Sequence, residues 1–133
     1  MLGELISEGR GKRTARRVVE TEPQFRVEVS FEDASKILGV EGFNIGTYTS
    51  TNKADGSLYG EGQGVIATAE GEFVTWNGIG VGRLHPGGNV SYRGALSYST
   101  TSQKLARLNT IAGVFEFDVD GEGKTHSKIW EWK

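Results

Sequence analysis

The sequence predicts an all-β protein: a single antiparallel closed barrel of about eight strands, with one short helical segment near 102–109. Two observations carry this. Strand-like segments recur along the whole of the 133 residues, and turn-forming residues separate them at short intervals. A sheet of that many strands has edges that invite pairing with other chains, so it is expected to close on itself. A β-sandwich is the alternative, but it usually needs longer crossing connections, and only 100–111 could supply one.

The elements follow in order. A first strand lies within 5–20. The clearest signal comes next, where Phe25, Val27, Val29 and Phe31 alternate with Arg26, Glu28, Ser30 and Glu32. Period two over eight residues means a strand with one dry face. Further strand-like stretches occupy 37–50, 58–68, 72–84, 90–100, 112–119 and 125–132. Asp55-Gly56, Glu70-Gly71, Pro86-Gly87-Gly88 and Asp120-Gly121-Glu122-Gly123 supply the turns. Only 102–109 reads as helical: Ser102 can cap it, Leu105 and Leu108 share one side, and Lys104 and Arg107 the other. No linker or low-complexity stretch divides the chain, so 1–133 is expected to form one domain.

Composition narrows the function. Fifteen Lys and Arg against 17 Asp and Glu leave a formal net charge of -2, a weak pull toward nucleic acid or an anionic membrane. No apolar run has the length of a membrane helix and no leader opens the chain, so a cytoplasmic protein is expected. The absence of Cys removes disulfides, thiolate metal sites and thiol nucleophiles. Arg10, Lys12, Arg13, Arg16 and Arg17 form a basic run, but Glu4, Glu8, Glu20 and Glu22 flank it. That pattern suits a solvated edge better than a phosphate-binding stripe. His85 and His126 have no ligand partners at metal spacing, no nucleophile-elbow motif is present, and no metal or cofactor is expected.

Glycine stands out, with 20 residues, about twice the usual share. It alternates through Tyr59-Gly60-Glu61-Gly62-Gln63-Gly64-Val65 and through Gly78-Ile79-Gly80-Val81-Gly82. Neither segment has the strand-to-helix setting of a dinucleotide or phosphate loop. Alternating glycine within strands instead leaves one face bare. If Glu70-Gly71 is a two-residue turn, Gly64 faces Asn77, Gly62 faces Ile79 and Gly60 faces Val81, and every glycine meets a larger side chain. Pairing His85 with Val90 then extends the sheet. One face carries Tyr59, Glu61, Gln63, Trp76 and Arg93 around the glycine strip, with Tyr59 and Arg93 about 10 Å apart. The other carries Leu58, Ile66, Ile79, Val81, Tyr92, Leu96 and Tyr98. Either face can be the interior. If the polar one is, Tyr59, Trp76 and Arg93 contact a ligand while Glu61 and Gln63 orient it. If it faces solvent, Glu61 and Arg93 form an ordinary surface ion pair.

The strings LYGEGQGV, TWNGIGVGR, YRGALSY and SQKLARLNTIAGVFEFDVD, with SKIWEW, resemble a family of small uncharacterised prokaryotic barrel proteins. The segment from Lys104 to Asn109, leading into Gly113, also resembles a passage before a late strand in allene oxide cyclase-like and dirigent-like barrels. The resemblance implies an eight-stranded antiparallel barrel, often oligomeric, whose lumen holds an apolar molecule. Lys104, Leu108 and Thr110 stand where that passage is glycine-rich, and the cyclase's catalytic residues do not map onto this chain. The expectation is therefore a barrel that binds a small apolar or aromatic molecule without catalysis, and that assembles as a homo-oligomer. The alternatives are an isomerase or cyclase with Glu61 as its acid/base group, and a purely structural oligomer.

Overall fold

The computed structural model describes residues 1–133. Its strands are β1 (Leu2–Glu20), β2 (Arg26–Ile37), β3 (Val40–Asn52), β4 (Leu58–Thr68), β5 (Phe73–Leu84), β6 (Val90–Thr100), β7 (Ala112–Val119) and β8 (Lys124–Trp132). Each pairs antiparallel with its neighbours in sequence, and β8 returns to β1, so the sheet closes as a barrel. Phe25 falls just outside β2 and is exposed. Between Ser7 and Lys12, β1 pairs on both sides; from Arg13 onward it pairs with β2 alone, past a register shift between Arg13 and Ala15. The basic residues of this ribbon do not gather on one face. Lys12 lies opposite Glu32, Arg13 opposite the buried Phe31, and Arg17 forms an ion pair with Glu28.

The helical segment is a 3-10 turn, Ala106–Thr110, and a second such turn, Pro86–Gly88, sits between β5 and β6. The three-residue period of a 3-10 helix explains its two sides. Leu105 and Leu108 are 1% and 0% exposed. Lys104 reaches Glu70 at 2.8 Å, and Arg107 reaches Glu4 and Glu131 at 2.6 and 2.7 Å. Ser102 Oγ accepts the Leu105 N–H at 3.2 Å, but it does not cap the 3-10 turn, whose N-cap position is Leu105 with no side-chain hydrogen bond.

The glycine hairpin corrects the sequence reading. The Thr68 N–H donates to the Glu72 carbonyl (2.8 Å) and the Gly71 N–H to the Thr68 carbonyl (3.0 Å). The turn therefore has three residues, Ala69-Glu70-Gly71, the last at φ +82° where glycine carries no steric penalty. One added turn residue moves every partner. Gly64 lies opposite Trp76, Gly62 opposite Gly78, Gly60 opposite Gly80 and Leu58 opposite Gly82. The next hairpin shifts likewise, with Leu84 rather than His85 opposite Val90, Arg93 opposite Val81, and Gly80 opposite Gly94.

Bare wall thus faces bare wall across the ladder, and the filling comes from rings standing on the same inner surface. A Cβ at Gly60 would lie 3.1 Å from the Tyr92 ring, and one at Gly80 would lie 3.1 Å from Phe115. The Trp76 indole covers Gly64 and, with Phe31, Gly46. Apolar side chains collect in two clusters. One, with Ile6, Ile37, Val74, Tyr98 and Ile129, is sealed by Leu105 and Leu108. The other contains Phe31, Leu58, Tyr92, Phe117 and Val119. Trp76 and Phe115 pack against both. No helix is long and apolar enough to cross a membrane.

Candidate functional site

Alternation places even-numbered residues of β4, β5 and β6 inside the barrel and odd-numbered ones outside. Of the five residues singled out in the sequence, only Trp76 is inside. Tyr59, Glu61, Gln63 and Arg93 project from the outer surface, and of these four only Glu61 is among the residues that line the interior cavity. Tyr59 donates to Glu61 at 2.9 Å. Arg93 pairs with Asp118 at 2.9 Å and lies 3.9 Å from Glu116, and no ion pair joins it to Glu61. Gln63 lies opposite Asn77. The drier set splits as well: Ile79 and Val81 are outside, whereas Leu58, Ile66, Tyr92, Leu96 and Tyr98 are inside.

Between the two apolar clusters lies a cavity of about 90 Å³. Much of its lining is aromatic, including Phe31, Tyr48, Trp76 and Phe115, and Gly60, Gly62, Gly78 and Gly80 provide the bare wall. A polar group also lines it: Ser7, Asp33, Ser35, Asn44 and Ser127. Asp33 is its centre. It stands opposite Asn44 on β3, and its other flank faces Gly11 on β1. The Asn44 amide donates to Asp33 Oδ2 at 3.2 Å, and Trp76 Nε1–H donates to Asn44 Oδ1 at 2.8 Å. Because an indole N–H can only donate, it fixes the amide orientation: oxygen toward Trp76, nitrogen toward Asp33.

Asp33 is 3% exposed, and its Oδ1 has no hydrogen-bond partner; nor has the Ser35 hydroxyl. Burial disfavours the charged carboxylate and pushes its pKa from 3.8 up to about 6, with the Asn44 hydrogen bond opposing the rise. Burial likewise raises the Tyr98 hydroxyl, and the charge on Asp33 adds to the effect. The sequence held a signal for Asp33. The dry-face series Val27, Val29, Phe31 continues in phase to Asp33, Ser35 and Ile37, which places an acid among residues that point inward.

His85 hydrogen-bonds Ser91, and His126 pairs with Glu8; neither histidine lines the cavity.

No protein-family model matches the chain, and no curated protein matches it. Solved structures do share its fold. A beta-barrel like protein from Acinetobacter baumannii superposes with a TM-score of 0.85 at 13% identity, covering 100% of this chain and 96% of that one. A protein of unknown function from Clostridium acetobutylicum gives 0.84 at 11% identity, covering 99% and 98%. An enzyme from Penicillium herquei gives 0.68 at 16% identity, covering 96% and 92%. These similarities define the class: a small, closed, antiparallel β-barrel of a kind found among uncharacterised bacterial proteins. At such low identity the likeness extends to the fold alone.

Proposed function

We propose that the protein is a binding barrel that takes a small, largely apolar molecule into its lumen without transforming it. The observation that carries this reading is the cavity of about 90 Å³ between the two apolar clusters, lined by rings and bordered by one buried, underused carboxyl group. Eight-stranded barrels leave room for packed side chains or one small ligand. The space is smaller than the roughly 150 Å³ that admits benzene in an engineered cavity, so the fitting occupant has only a few non-hydrogen atoms. The ligand site is built from Trp76, Asp33 and Asn44 rather than from the exposed Glu61 and Gln63. The test is uptake of xenon by the crystalline protein, compared with Ser127→Leu, which fills the same space. Occupancy in the wild type and not in the variant supports the proposal; a lumen that takes up nothing in either sinks it.

A second reading, an isomerase or cyclase, is favoured by one specific observation. A carboxyl that titrates near 6 beside apolar surface suits proton transfer close to neutral pH. In that reading Asp33 takes the acid/base role that the sequence analysis gave to Glu61. Asp33→Asn retaining full turnover of an identified substrate would remove it. Self-association is the third reading. It is supported by the outer row Ala34, Phe43, Ala67 and Phe73, which are aligned across four strands and flanked by the exposed Ile45 and Val65.

A further inference from the structure

Building on the lumen-binding reading, we propose that the preferred occupant is a small organic cation. It would be an alkylamine of about three non-hydrogen atoms whose ammonium group donates to Asp33 while its carbon chain lies against the rings.

The argument begins with charge. None of the protein's ion pairs includes Asp33. The strands around it present no cation to it: Gly9 and Gly11 from β1, Asn44 from β3 and Ser127 from β8 are all uncharged. Arg13, one row away, lies against Gly123 and acts on Tyr48. Tyr98 is the other titratable group close to Asp33, and its hydroxyl stays neutral to high pH. A buried carboxylate without a counter-charge is costly.

Hydrogen bonding points the same way. An ionised carboxylate can accept about four hydrogen bonds, yet Asp33 receives one long bond from Asn44, and Oδ1 receives none. An occupant rich in donors meets that need. A neutral hydrocarbon leaves it unmet, and an anion meets repulsion in a medium of low dielectric. An ammonium group supplies three donors and a charge, and the faces of Trp76, Tyr48 and Phe31 attract cations through their quadrupoles. A chain of two carbons and one nitrogen is smaller than benzene and matches a cavity below the size that benzene requires.

The experiment titrates the wild-type protein at pH 8 with three probes of similar shape: ethylamine, ethanol and acetate. Isothermal calorimetry and Trp fluorescence report binding. The expected result is that ethylammonium binds at least about tenfold more tightly than ethanol and that acetate does not bind. The preference for the amine disappears in Asp33→Asn, and in the wild type at pH 4.5, where Asp33 is protonated. The wild-type pH comparison decides the matter alone if that variant fails to fold. Equal binding of ethanol and ethylammonium, or a preference that survives at pH 4.5, overturns the cation inference and leaves the lumen reading standing. Absence of binding by all three probes, together with no xenon uptake, overturns both.

Discussion

Trp76 Nε1 lies 2.8 Å from Asn44 Oδ1, and through that one hydrogen bond an aromatic residue of β5 sets the direction in which an amide on β3 presents its donors to a buried acid. Removing the indole donor leaves a buried carbonyl oxygen without its partner. Trp76→Phe is therefore expected to lose about 1–3 kcal/mol from that bond, plus the packing of the lost ring. Chemical denaturation measures it. A double variant, Trp76→Phe with Asn44→Leu, should not recover the loss, because it also removes the one hydrogen bond that the buried Asp33 receives.

Asp33 makes stability depend on pH in an unusual direction for a carboxylate. Its folded-state pKa, about 6, lies above the ordinary 3.8. Between those values the folded chain holds a proton that the unfolded chain has released, so stability falls as pH rises from about 4 to about 6. The full difference corresponds to roughly 3 kcal/mol. Asp33→Asn should abolish this slope and be the more stable protein at pH 8. Urea melts at pH 4, 5, 6 and 8 check it; parallel profiles for variant and wild type contradict the assignment.

Gly64 lies beneath the Trp76 indole, and a Cβ there would come within 2.5 Å of the ring's Cζ2 atom. Gly64→Ala is expected to displace Trp76 at a cost of about 1–3 kcal/mol and to disturb the Asn44 bond. A blue- or red-shifted Trp emission accompanying the loss distinguishes ring displacement from a general loosening of the strand.

Leu108 is fully buried where the 3-10 turn closes one end of the barrel. Leu108→Ala should cost about 2–5 kcal/mol. It should also speed amide hydrogen exchange of the strand ends around Ile37 and Val74 before that of β7.

If the outer row of Phe43 and Phe73 is covered by a second copy, sedimentation of the wild type will give a mass of at least two chains. Phe43→Lys with Phe73→Lys will then give one. A single-chain mass for the wild type at millimolar concentration removes the self-association reading.

The closed barrel was legible because period two and turn chemistry are local signals, each written within a few residues. The 3-10 turn that closes one end was legible for the same reason: Leu105 and Leu108 carry the three-residue period themselves. The register was not. It hung on whether Ala69 belonged to strand or turn, and the Glu-Gly pair fits a two-residue turn as well as the end of a three-residue one. That one residue moved Asn77 from Gly64 to Gln63; a separate shift at the β5–β6 connection, with Leu84 rather than His85 opposite Val90, moved Arg93 from Gly82 to Val81. The sorting of faces failed with the first slip, which set Gly78, Gly80 and Gly82 beside Gln63, Glu61 and Tyr59. Tyr59 and Glu61 looked like a lined pocket because glycine was read as space beside them. The glycines instead alternate with them and point the other way, into the barrel. Asp33 lay one residue beyond the stretch in which the alternation was counted.

A backbone wall stripped of side chains has no contour of its own to conserve. The hollow inside this barrel takes its shape from Tyr92, Phe115, Trp76 and Phe31, which lean over that wall from other positions. Exchanging one ring for a smaller residue would therefore recast the chamber while every strand kept its partner. A scaffold built this way can diversify what it accommodates by a handful of substitutions, with no insertion, no new loop and no change of topology.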